Sequence, residues 1–405
     1  MKILLLTVHY PPLKTSCAIQ MRDLAHELLR IGHEPIVICP AEDINKIIIR
    51  EKINGIEVIR IKTKKNIDNG YINRGLNEIL LPFKIINGIK KSNLSIKNLD
   101  AVIWYSPTIF FGPVVKFLKN ASGCPSYLIL RDIFPEWALD LGILKKNPIY
   151  YFFKIVAKYQ YSVADIIGVQ TFSNLKYLKN WSKRPNRKLE VLNNWLSPIK
   201  PEKTSISLAN TELHGRKLFV YAGNMGVAQG IDIFIELADR LKNRKDLGFI
   251  FVGRGSEVDR LKKFSADKKL DNILFFDEIN PKELPSLLKM CRIGLIALDL
   301  RHKTHNIPGK FLTYLQSSLP VLAKVNPGTD LQNIIEEEKV GIVYTGKNVD
   351  DLVVMAEKII DDEANHKLMS VKGQSLYCRM FSTSEITNKI ISSLSDYVKN
   401  ITDKR

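Results

Sequence analysis

The segment from His302 to Ala323, HKTHNIPGKFLTYLQSSLPVLA, combines a polar loop with residue types that bind phosphate. A loop over 302–308 leads into an amphipathic helix predicted over 309–317. The glycine at its start lets a ligand approach the backbone, and the first turn of the helix offers free N–H groups at the positive end of its dipole. Lys310 adds a full positive charge there, with Thr313 three residues on and on the same face. The pattern favours a phosphate site over the alternative, an ordinary loop–helix–strand unit with a solvated lysine.

Two glycine-rich turns of the same half of the chain follow predicted strands. Gly223 to Gly230 reads GNMGVAQG, and Gly253 to Ser256 reads GRGS. In a parallel sheet all three loops lie at the same edge, where close-approach glycines, helix N-termini and cations together can hold a diphosphate. Neither turn is a GxGxxG or Walker motif, so the prediction rests on the combination. Its candidate residues are Gly223, Asn224, Gly226, Gln229, Arg254, Lys310 and Thr313.

A charged cluster in the first half, RDIFPEW over 131–137, directly follows a predicted buried strand over 126–130. The carboxyl end of a core strand is where a doubly wound sheet places its chemistry. Asp132 and Glu136 are candidates to contact sugar hydroxyls or to act as a general base. The alternative is an ion pair between Arg131 and Asp132 that only fixes the loop. His302 and His305 lie three apart in a loop, which is weak support for a metal, and with no HExxH motif present we expect none.

The elements that position these residues follow one pattern twice. Within 405 residues, strand, loop, helix and strand alternate in each half, which predicts two α/β domains with doubly wound parallel sheets. A polar stretch over 197–216 is the predicted linker, giving domains over 1–197 and 198–384 and a last helix over about 385–398. The apolar start, MKILLLTV, predicts a buried strand rather than a signal peptide. Five scattered cysteines predict reduced thiols in the cytoplasm.

The positive charge is concentrated in the first half. The chain carries a net charge of +18, of which residues 1–200 hold +15 and the remainder +3. Such a field attracts an anionic partner, either nucleic acid, anionic lipid or a phosphate-bearing substrate, although a basic surface can also serve solubility alone. No nucleic-acid-binding motif accompanies the charge, so we expect no nucleic-acid partner. The segment Tyr71 to Lys97 has an apolar face bordered by lysines, which predicts either an interfacial membrane helix or a surface helix packed on the sheet.

Taken in order, these motifs resemble those of the GT-B glycosyltransferases of family 4 over nearly the whole chain. The resemblance is carried by YPP and GHEPIVI near the start, LRDIFPEWALDLGI in the middle, and YAGNMGVAQGID, FVGRGSE and IPGKFLTYLQSSLPVLA in the second half. Within that family the chain looks most like bacterial polysaccharide enzymes that add an N-acetyl-L-fucosamine-type sugar to a lipid-linked acceptor.

The resemblance implies a GT-B fold, two Rossmann-like domains facing a central cleft, and a retaining sugar transfer that needs no metal or other cofactor. It implies a UDP-sugar donor on the second domain and a polyprenyl-diphosphate-linked saccharide acceptor on the first. Asp132, His305 and Asn306 are then the catalytic candidates, and Ser16, Arg131 and Glu136 lie on the acceptor side. Arg254 and Lys310 would stabilise the leaving diphosphate. The expected location is cytoplasmic, peripheral on the inner face of the plasma membrane, bound to its anionic surface.

One departure from the family pattern concerns its two glutamates, which have seven residues between them. Thr313 stands at the second position and His305 at the first, and Gln229 stands where many relatives have a phosphate-binding lysine. Thr313 could hold a ribose only through a weaker, neutral hydrogen bond. Two alternative functions therefore stay open: a UDP-sugar 2-epimerase, which shares the GT-B architecture, and a non-catalytic homologue that binds nucleotide.

Overall fold

The computed structural model describes residues 1–63, 70–140, 142–298 and 306–403, with side chains for all of these except 70–74 and 228. The chain divides into two units. Unit 1 comprises Met1–Trp195 together with Thr383–Arg405, and unit 2 comprises Leu196–Ser382. These boundaries lie within two residues of those predicted from the sequence.

Unit 1 is built on one eight-stranded sheet with helices around it. Its strands are β1 (Lys2–Leu6), β2 (Glu34–Ala41), β3 (Ile48–Ile53), β4 (Ile56–Lys62), β5 (Ala101–Ser106), β6 (Ser126–Leu130), β7 (Ile166–Val169) and β8 (Lys188–Val191). Its helices before residue 195 are α1 (Ser16–Arg30), α2 (Gly70–Lys91), α3 (Gly112–Ser122), α4 (Glu136–Asp140), α5 (Pro148–Val163) and α6 (Lys179–Ser182), with 3₁₀ turns at Ile96–Asn98 and Phe172–Leu178.

The strand order β3-β4-β2-β1-β5-β6-β7-β8 makes β1 the strand at which the direction of winding reverses. All pairings are parallel except that of β3 with β4. The predicted first strand is therefore confirmed: β1 lies inside the sheet, and Ile3 to Leu6 are fully buried. Because side chains alternate along a strand, Leu4 and Leu6 enter the hydrophobic core on one face, and Ile3 and Leu5 enter the core on the other.

Unit 2 repeats the architecture with six parallel strands. These are β9 (Lys217–Ala222), β10 (Leu247–Val252), β11 (Ile273–Phe276), β12 (Ile293–Ala297), β13 (Val321–Lys324) and β14 (Gly341–Tyr344). Its helices are α7 (Asp232–Arg240), α8 (Val258–Asp267), α9 (Leu284–Leu288), α10 (Gly309–Gln316), α11 (Asp330–Glu338), α12 (Val349–Asp361) and α13 (Glu363–Leu376), followed by a π-helical turn at Tyr377–Phe381. The sheet order β11-β10-β9-β12-β13-β14 is that of a Rossmann fold, in which strands run 3-2-1-4-5-6.

The last helix, α14 (Thr383–Thr402), belongs to unit 1. Its buried face includes Ile386, Ile390 and Leu394, which join the core beneath α1. The Ser393 hydroxyl donates to the Glu190 carboxylate over 2.8 Å and the Tyr397 hydroxyl to Asp165 over 3.1 Å. The last helix packs in the first unit, as predicted, and is two residues longer at its start and four at its end than the predicted range of 385–398.

Helix α2 is packed on the sheet, as one of the two interpretations of its sequence predicts. Leu81, Ile85 and Ile89 are buried in the core of unit 1, while Leu80 and Phe83 are exposed, Phe83 by 62%. The helix is therefore packed on the sheet and still presents apolar side chains to solvent. No helix within the described part of the chain is long and apolar enough to cross a membrane.

Candidate functional site

In unit 2 the strand order reverses between the neighbouring strands β9 and β12. In an open α/β sheet, ligands bind beyond the carboxyl ends of the strands at the point where the strand order reverses. Strand β9 ends at Ala222 and continues into the glycine turn at Gly223, and the chain that leaves β12 leads to the N-terminus of α10. The glycine turn that begins at Gly223 and the N-terminus of α10 thus flank the switch point.

Tyr314 fixes α10 to these two strands. Its buried hydroxyl accepts a hydrogen bond from the Ala222 amide over 2.9 Å and lies 3.3 Å from the carbonyl oxygens of Val220 and Leu295. A side chain at Gly294 would overlap the tyrosine ring, so this position of β12 requires glycine. The start of α10 is consequently held by contacts with both strands at the switch point.

Lys310 lies one helical turn before Tyr314 and is directed at the end of β9. Its Nζ donates a hydrogen bond to the Tyr221 hydroxyl and lies 3.7 Å from the centroid of the Tyr221 ring. The Tyr221 hydroxyl donates in turn to the carbonyl oxygen of Asn224 over 2.8 Å. Lys310, Tyr221 and the turn at Asn224 are thereby linked by hydrogen bonds. Lys310 also lies close to Gly223, because a Cβ atom placed on that glycine would be 3.6 Å from Lys310 Cε.

The electrostatics of Lys310 are those of an anion site. Burial lowers the pKa of its ammonium group to about 7. No carboxylate of the residues described for this chain forms an ion pair with it. Because a crowded cation without a counter-ion is costly, the free energy of this region falls when an anion arrives. Among the described residues, no atom lies within 4 Å of a Cβ placed on Gly309, the first residue of α10.

The second glycine turn packs against the backbone of the first. Gly253 and Gly255 have φ values of +143° and +156°, and a Cβ on either would overlap the carbonyl oxygens of Gly223 and Met225 respectively. The two turns are also joined by a hydrogen bond from the Met225 amide to the Arg254 carbonyl over 2.7 Å. The sequence analysis assigned these glycines to ligand approach, whereas the structure shows that Gly253 and Gly255 allow two backbones to pack.

Two of the predicted donor residues shape the first turn. The Gln229 side-chain oxygen accepts from the Asn224 amide group and from the Gly226 backbone N–H, both over 3.1 Å. Gly226 accommodates this because its missing side chain leaves space for both amides. Asn224 is exposed at the same turn. Gln229 therefore folds the turn, and its predicted phosphate contact stays a prediction.

The remaining donor-side candidates lie in more open positions. Arg254 is 81% exposed and forms an ion pair with Glu278 over 3.2 Å, a geometry of small energetic value at a solvated surface. The Thr313 hydroxyl donates to the Gly309 carbonyl over 3.2 Å, so it bonds back into its own helix. Asn306 is exposed. His302 and His305 lie outside the described residues.

In unit 1, Arg131 is buried and bound to backbone. Its guanidinium donates to the carbonyl oxygens of Leu192 and Asn193 over 2.9 and 3.3 Å and lies 4.6 Å from the Trp195 ring. Burial lowers its pKa. These contacts tie the end of β6 to the chain leaving β8, which is the loop-fixing role weighed in the sequence analysis, with backbone carbonyls as the bonded partners. Asp132 beside it is half-buried.

Glu136 and Ser16 begin helices. Glu136 is the first residue of α4 and lies 3.6 Å from Lys154 Nζ of α5. Ser16 is the exposed first residue of α1, whose N-terminus is capped by the Thr15 hydroxyl accepting from the Ala18 amide.

A pocket of about 560 Å³ lies at the carboxyl ends of β1, β2 and β4. The loop after β1 contributes His9, Pro12 and Leu13. Its lining also includes the charged residues Glu42, Asp43, Arg60 and Glu78, which the sequence analysis did not single out, and Lys84 of the predicted 71–97 helix. Burial lowers the pKa of His9, whose Nδ1 lies 3.2 Å from the Thr15 hydroxyl.

Neither unit shows a metal site in its described part. Within 1–63, 70–140, 142–298 and 306–403, no group of three or more His, Cys, Asp or Glu side chains is close enough to hold an ion. All five cysteines are free thiols.

Comparison with known proteins shows that the chain is similar to glycosyltransferases. Residues 203–375 match the protein-family model described as "Glycosyl transferases group 1". The chain is 26% identical over 279 residues to the "Probable glycosyltransferase WbjE" of Pseudomonas aeruginosa, covering 67% of this chain and 68% of that protein. It is 28% identical over 253 residues to the "Putative colanic acid biosynthesis glycosyl transferase WcaI" of Escherichia coli strain K12, covering 58% and 60%.

Solved structures resemble nearly the whole chain. A sucrose-phosphate synthase from Thermosynechococcus elongatus superposes with a TM-score of 0.73 at 14% identity, covering 99% of this chain and all of the other. WaaG, a glycosyltransferase involved in lipopolysaccharide biosynthesis, superposes with a TM-score of 0.63 at 14% identity, covering 97% and 99%. Likeness at this identity establishes the fold alone, and it confirms the predicted GT-B class of two Rossmann-like units.

Proposed function

We propose, from the match of residues 203–375 to the Glycosyl transferases group 1 model, that the protein is a retaining glycosyltransferase of bacterial surface-polysaccharide synthesis. It takes a sugar from a UDP-sugar donor, with N-acetyl-L-fucosamine as the proposed sugar, and passes it to a saccharide carried on a polyprenyl diphosphate. The names of its relatives support the pathway class, since one is assigned to colanic acid biosynthesis and a structural neighbour to lipopolysaccharide biosynthesis.

The observation that carries the proposal is Lys310 at the switch point of unit 2. A lysine without a carboxylate partner among the described residues, a helix N-terminus and the exposed backbone of Gly223 occur together where a Rossmann sheet binds its ligand. A nucleotide diphosphate supplies the missing anion. As the bond between sugar and diphosphate breaks, negative charge grows on the leaving oxygen, and a cation fixed beforehand stabilises that charge without a metal ion.

Unit 1 is the proposed acceptor side. Residues 1–200 hold +15 of the net charge, and α2 exposes Leu80 and Phe83 beside Lys84. Basic side chains next to apolar ones suit the surface of an anionic membrane, where a polyprenyl-linked acceptor is located. We therefore propose a peripheral position on the inner face of the plasma membrane. Asp132, His305 and Asn306 are the proposed catalytic residues, and Ser16, Arg131 and Glu136 the proposed acceptor-side residues.

Thermal unfolding in the presence of UDP, GDP, dTDP or ADP, each with and without magnesium, tests the donor site. A ligand that binds only the folded state adds about 2.7 kcal/mol at a concentration of about 100 times its Kd. The proposal expects stabilisation by UDP, equal with and without magnesium. If none of the four nucleotides stabilises the protein, the transferase proposal fails. The conclusion would then be that the protein does not bind a nucleotide-sugar donor.

Incubation with a UDP-sugar in the absence of any lipid separates transfer from isomerisation. A transferase leaves the sugar configuration of the donor unchanged under these conditions, whereas a 2-epimerase converts it. Conversion of the donor, detected by NMR of the sugar protons, would contradict the proposal.

A further inference from the structure

A second pocket of unit 1, of about 610 Å³, lies between α5, the 3₁₀ turn at Phe172–Leu178 and α6. Three cations line it, Lys154, Lys158 and Arg184, against one carboxylate, Glu136. Glu136 lies 3.6 Å from Lys154, so that pair is mutually compensated. Within the described part of the chain, no carboxylate pairs with Lys158 or Arg184. The pocket therefore has an excess of positive charge.

Tyr161 also lines this pocket, and its hydroxyl group forms no hydrogen bond with the described residues. Its oxygen is shielded from solvent and has no partner among the described residues. Burial raises the pKa of Tyr161, so at neutral pH the group is a protonated donor. A buried donor without an acceptor costs about 1–3 kcal/mol. An oxygen-rich ligand in the pocket would remove that cost.

The remaining wall is apolar. Ile133, Pro135, Leu178 and the indole of Trp181 line the same space. Inorganic phosphate has no apolar group to bury against such a surface. A phosphate joined to a hydrocarbon chain can bury that chain there.

The outer surface of α5 continues this apolar character. Residues 150, 154, 157, 158 and 161 face the pocket, and their spacing defines one side of the helix. At 100° per residue, Tyr151 and Ile155 lie on the stripe immediately beside Lys158, and they are 54% and 68% exposed. Phe152 and Tyr159 extend that stripe and are each 43% exposed. An exposed stripe of aromatic and aliphatic side chains at the edge of a basic pocket is typical of contact with a lipid interface.

We propose that this pocket binds the phosphate end of an anionic isoprenoid-type lipid, with the hydrocarbon passing over the exposed stripe of α5. Arg184 and Lys158 neutralise the phosphate oxygens, the Tyr161 hydroxyl donates to one of them, and Tyr151 and Ile155 contact the chain. The inference deepens the proposed function, because it locates the lipid end of the acceptor, and it rests on that function only for the ligand's role as acceptor.

Titration calorimetry with farnesyl diphosphate, a water-soluble isoprenoid diphosphate, tests the pocket in the full chain. All titrations use a Lys310→Met background, so that diphosphate binding at α10 does not contribute. Arg184→Gln is expected to weaken binding roughly tenfold and Tyr161→Phe severalfold, since one charge-assisted and one neutral hydrogen bond are lost. Lys262→Gln on exposed α8 is the matched control and is expected to bind like the parent.

Farnesol and inorganic diphosphate separate the two halves of the ligand. Each is expected to bind at least about tenfold more weakly than farnesyl diphosphate, because each satisfies only the apolar or only the charged part of the pocket. Equal binding of inorganic diphosphate would reduce the site to a phosphate site and overturn the proposal. So would equal affinity for farnesyl diphosphate in the parent and the Arg184→Gln variant, or no binding by the folded parent.

A parallel UDP titration of the otherwise wild-type chain and of its Arg184→Gln variant keeps the two proposals apart. Unchanged UDP affinity in Arg184→Gln is expected. Absence of UDP binding to the wild-type chain would contradict the donor assignment in unit 2. The farnesyl diphosphate titration would still show whether the pocket of unit 1 binds the lipid phosphate.

Discussion

The ammonium group of Lys310 is held against Tyr221, 3.7 Å from the ring centroid and hydrogen-bonded to the hydroxyl, although 89 residues separate the two in the chain. The tyrosine provides an electron-rich face and a single acceptor, and neither neutralises the charge. The lysine is thereby placed in a fixed position with its charge uncompensated by the described residues, which is the arrangement that a diphosphate site requires.

Lys310→Met is expected to weaken UDP binding at least tenfold, roughly the 1.5–3 kcal/mol of a hydrogen bond to a charged group. The same change removes an uncompensated cation from a crowded position, so the free energy of unfolding should stay equal or rise. Titration calorimetry and urea denaturation measure the two effects. Lys263→Met on the exposed side of α8 is the control, and equal UDP affinity in both variants would remove Lys310 from the donor site.

The pH dependence of stability reports the state of the same group. Because burial lowers the pKa of Lys310 from 10.5 to about 7, the unfolded chain binds more protons than the folded chain between these values. The contribution of Lys310 to the free energy of unfolding therefore rises with pH through that window. Urea titrations of the parent and Lys310→Met at about pH 6, 7.5 and 9 should show the parent gaining relative to the variant. A constant difference would contradict the lowered pKa.

Gly253→Ala tests the packing of the two glycine turns. A left-handed backbone position costs about 1–2 kcal/mol for a residue with a side chain, and here the new Cβ would also overlap the Gly223 carbonyl. Gly215→Ala is the control, since Gly215 has φ +76° and no described residue places an atom within 4 Å of where its Cβ would lie. Gly253→Ala should lose more stability than the control and bind UDP more weakly. Equal losses in both variants would show that the overlap is relieved without moving Gly223.

Tyr314→Phe tests the attachment of α10 to the sheet. The change leaves the Ala222 amide without its acceptor, and a buried unsatisfied amide costs about 1–3 kcal/mol in urea denaturation. Tyr159→Phe, on an exposed helix surface, should change the unfolding free energy by less than about 0.5 kcal/mol. A Tyr314→Phe variant as stable as the parent would mean that the helix is held by its other contacts alone.

The exposed side of α2 is expected to contribute to vesicle binding. Replacing Leu80 and Phe83 by serine removes two apolar side chains, each worth about 1.5–3 kcal/mol when fully buried. Co-sedimentation with phosphatidylglycerol vesicles should fall at least tenfold at equal ionic strength. Leu368→Ser, on an exposed position of α13, is the control, and unaltered sedimentation of the double variant would exclude α2 as an interfacial helix.

The sequence was sufficient to predict both Rossmann-like sheets, because alternating apolar strands and amphipathic helices are local patterns. It did not reveal β3: residues 48–53 are half-buried at a sheet edge and carry three charged side chains, so no apolar run marks the strand. Helix α2 was recognised, but its division into a buried and an exposed apolar face depends on which strands lie beneath it.

The candidate site was predictable only to the level of its loops. Lys310 and Thr313 were expected to face the loop together, whereas Lys310 turns to Tyr221 and Thr313 bonds to Gly309. A glycine in the sequence indicates that another group comes close to the backbone, but not which group. The contact of Gly253 with the Gly223 backbone therefore could not be distinguished from a contact with a ligand. The burial of Arg131 likewise depends on the strand β8, which lies about 60 residues further along the chain.

Unit 1 is assembled from two stretches of chain, Met1–Trp195 and Thr383–Arg405. During synthesis the whole of unit 2 is made before the helix that covers Leu192 and Trp195 is available. Unit 2 can therefore fold before the core of unit 1 is complete. A chain that stops before Thr383 would contain all of unit 2 and lack the helix that completes the core of unit 1, so the folding of the proposed acceptor side depends on the later of its two stretches.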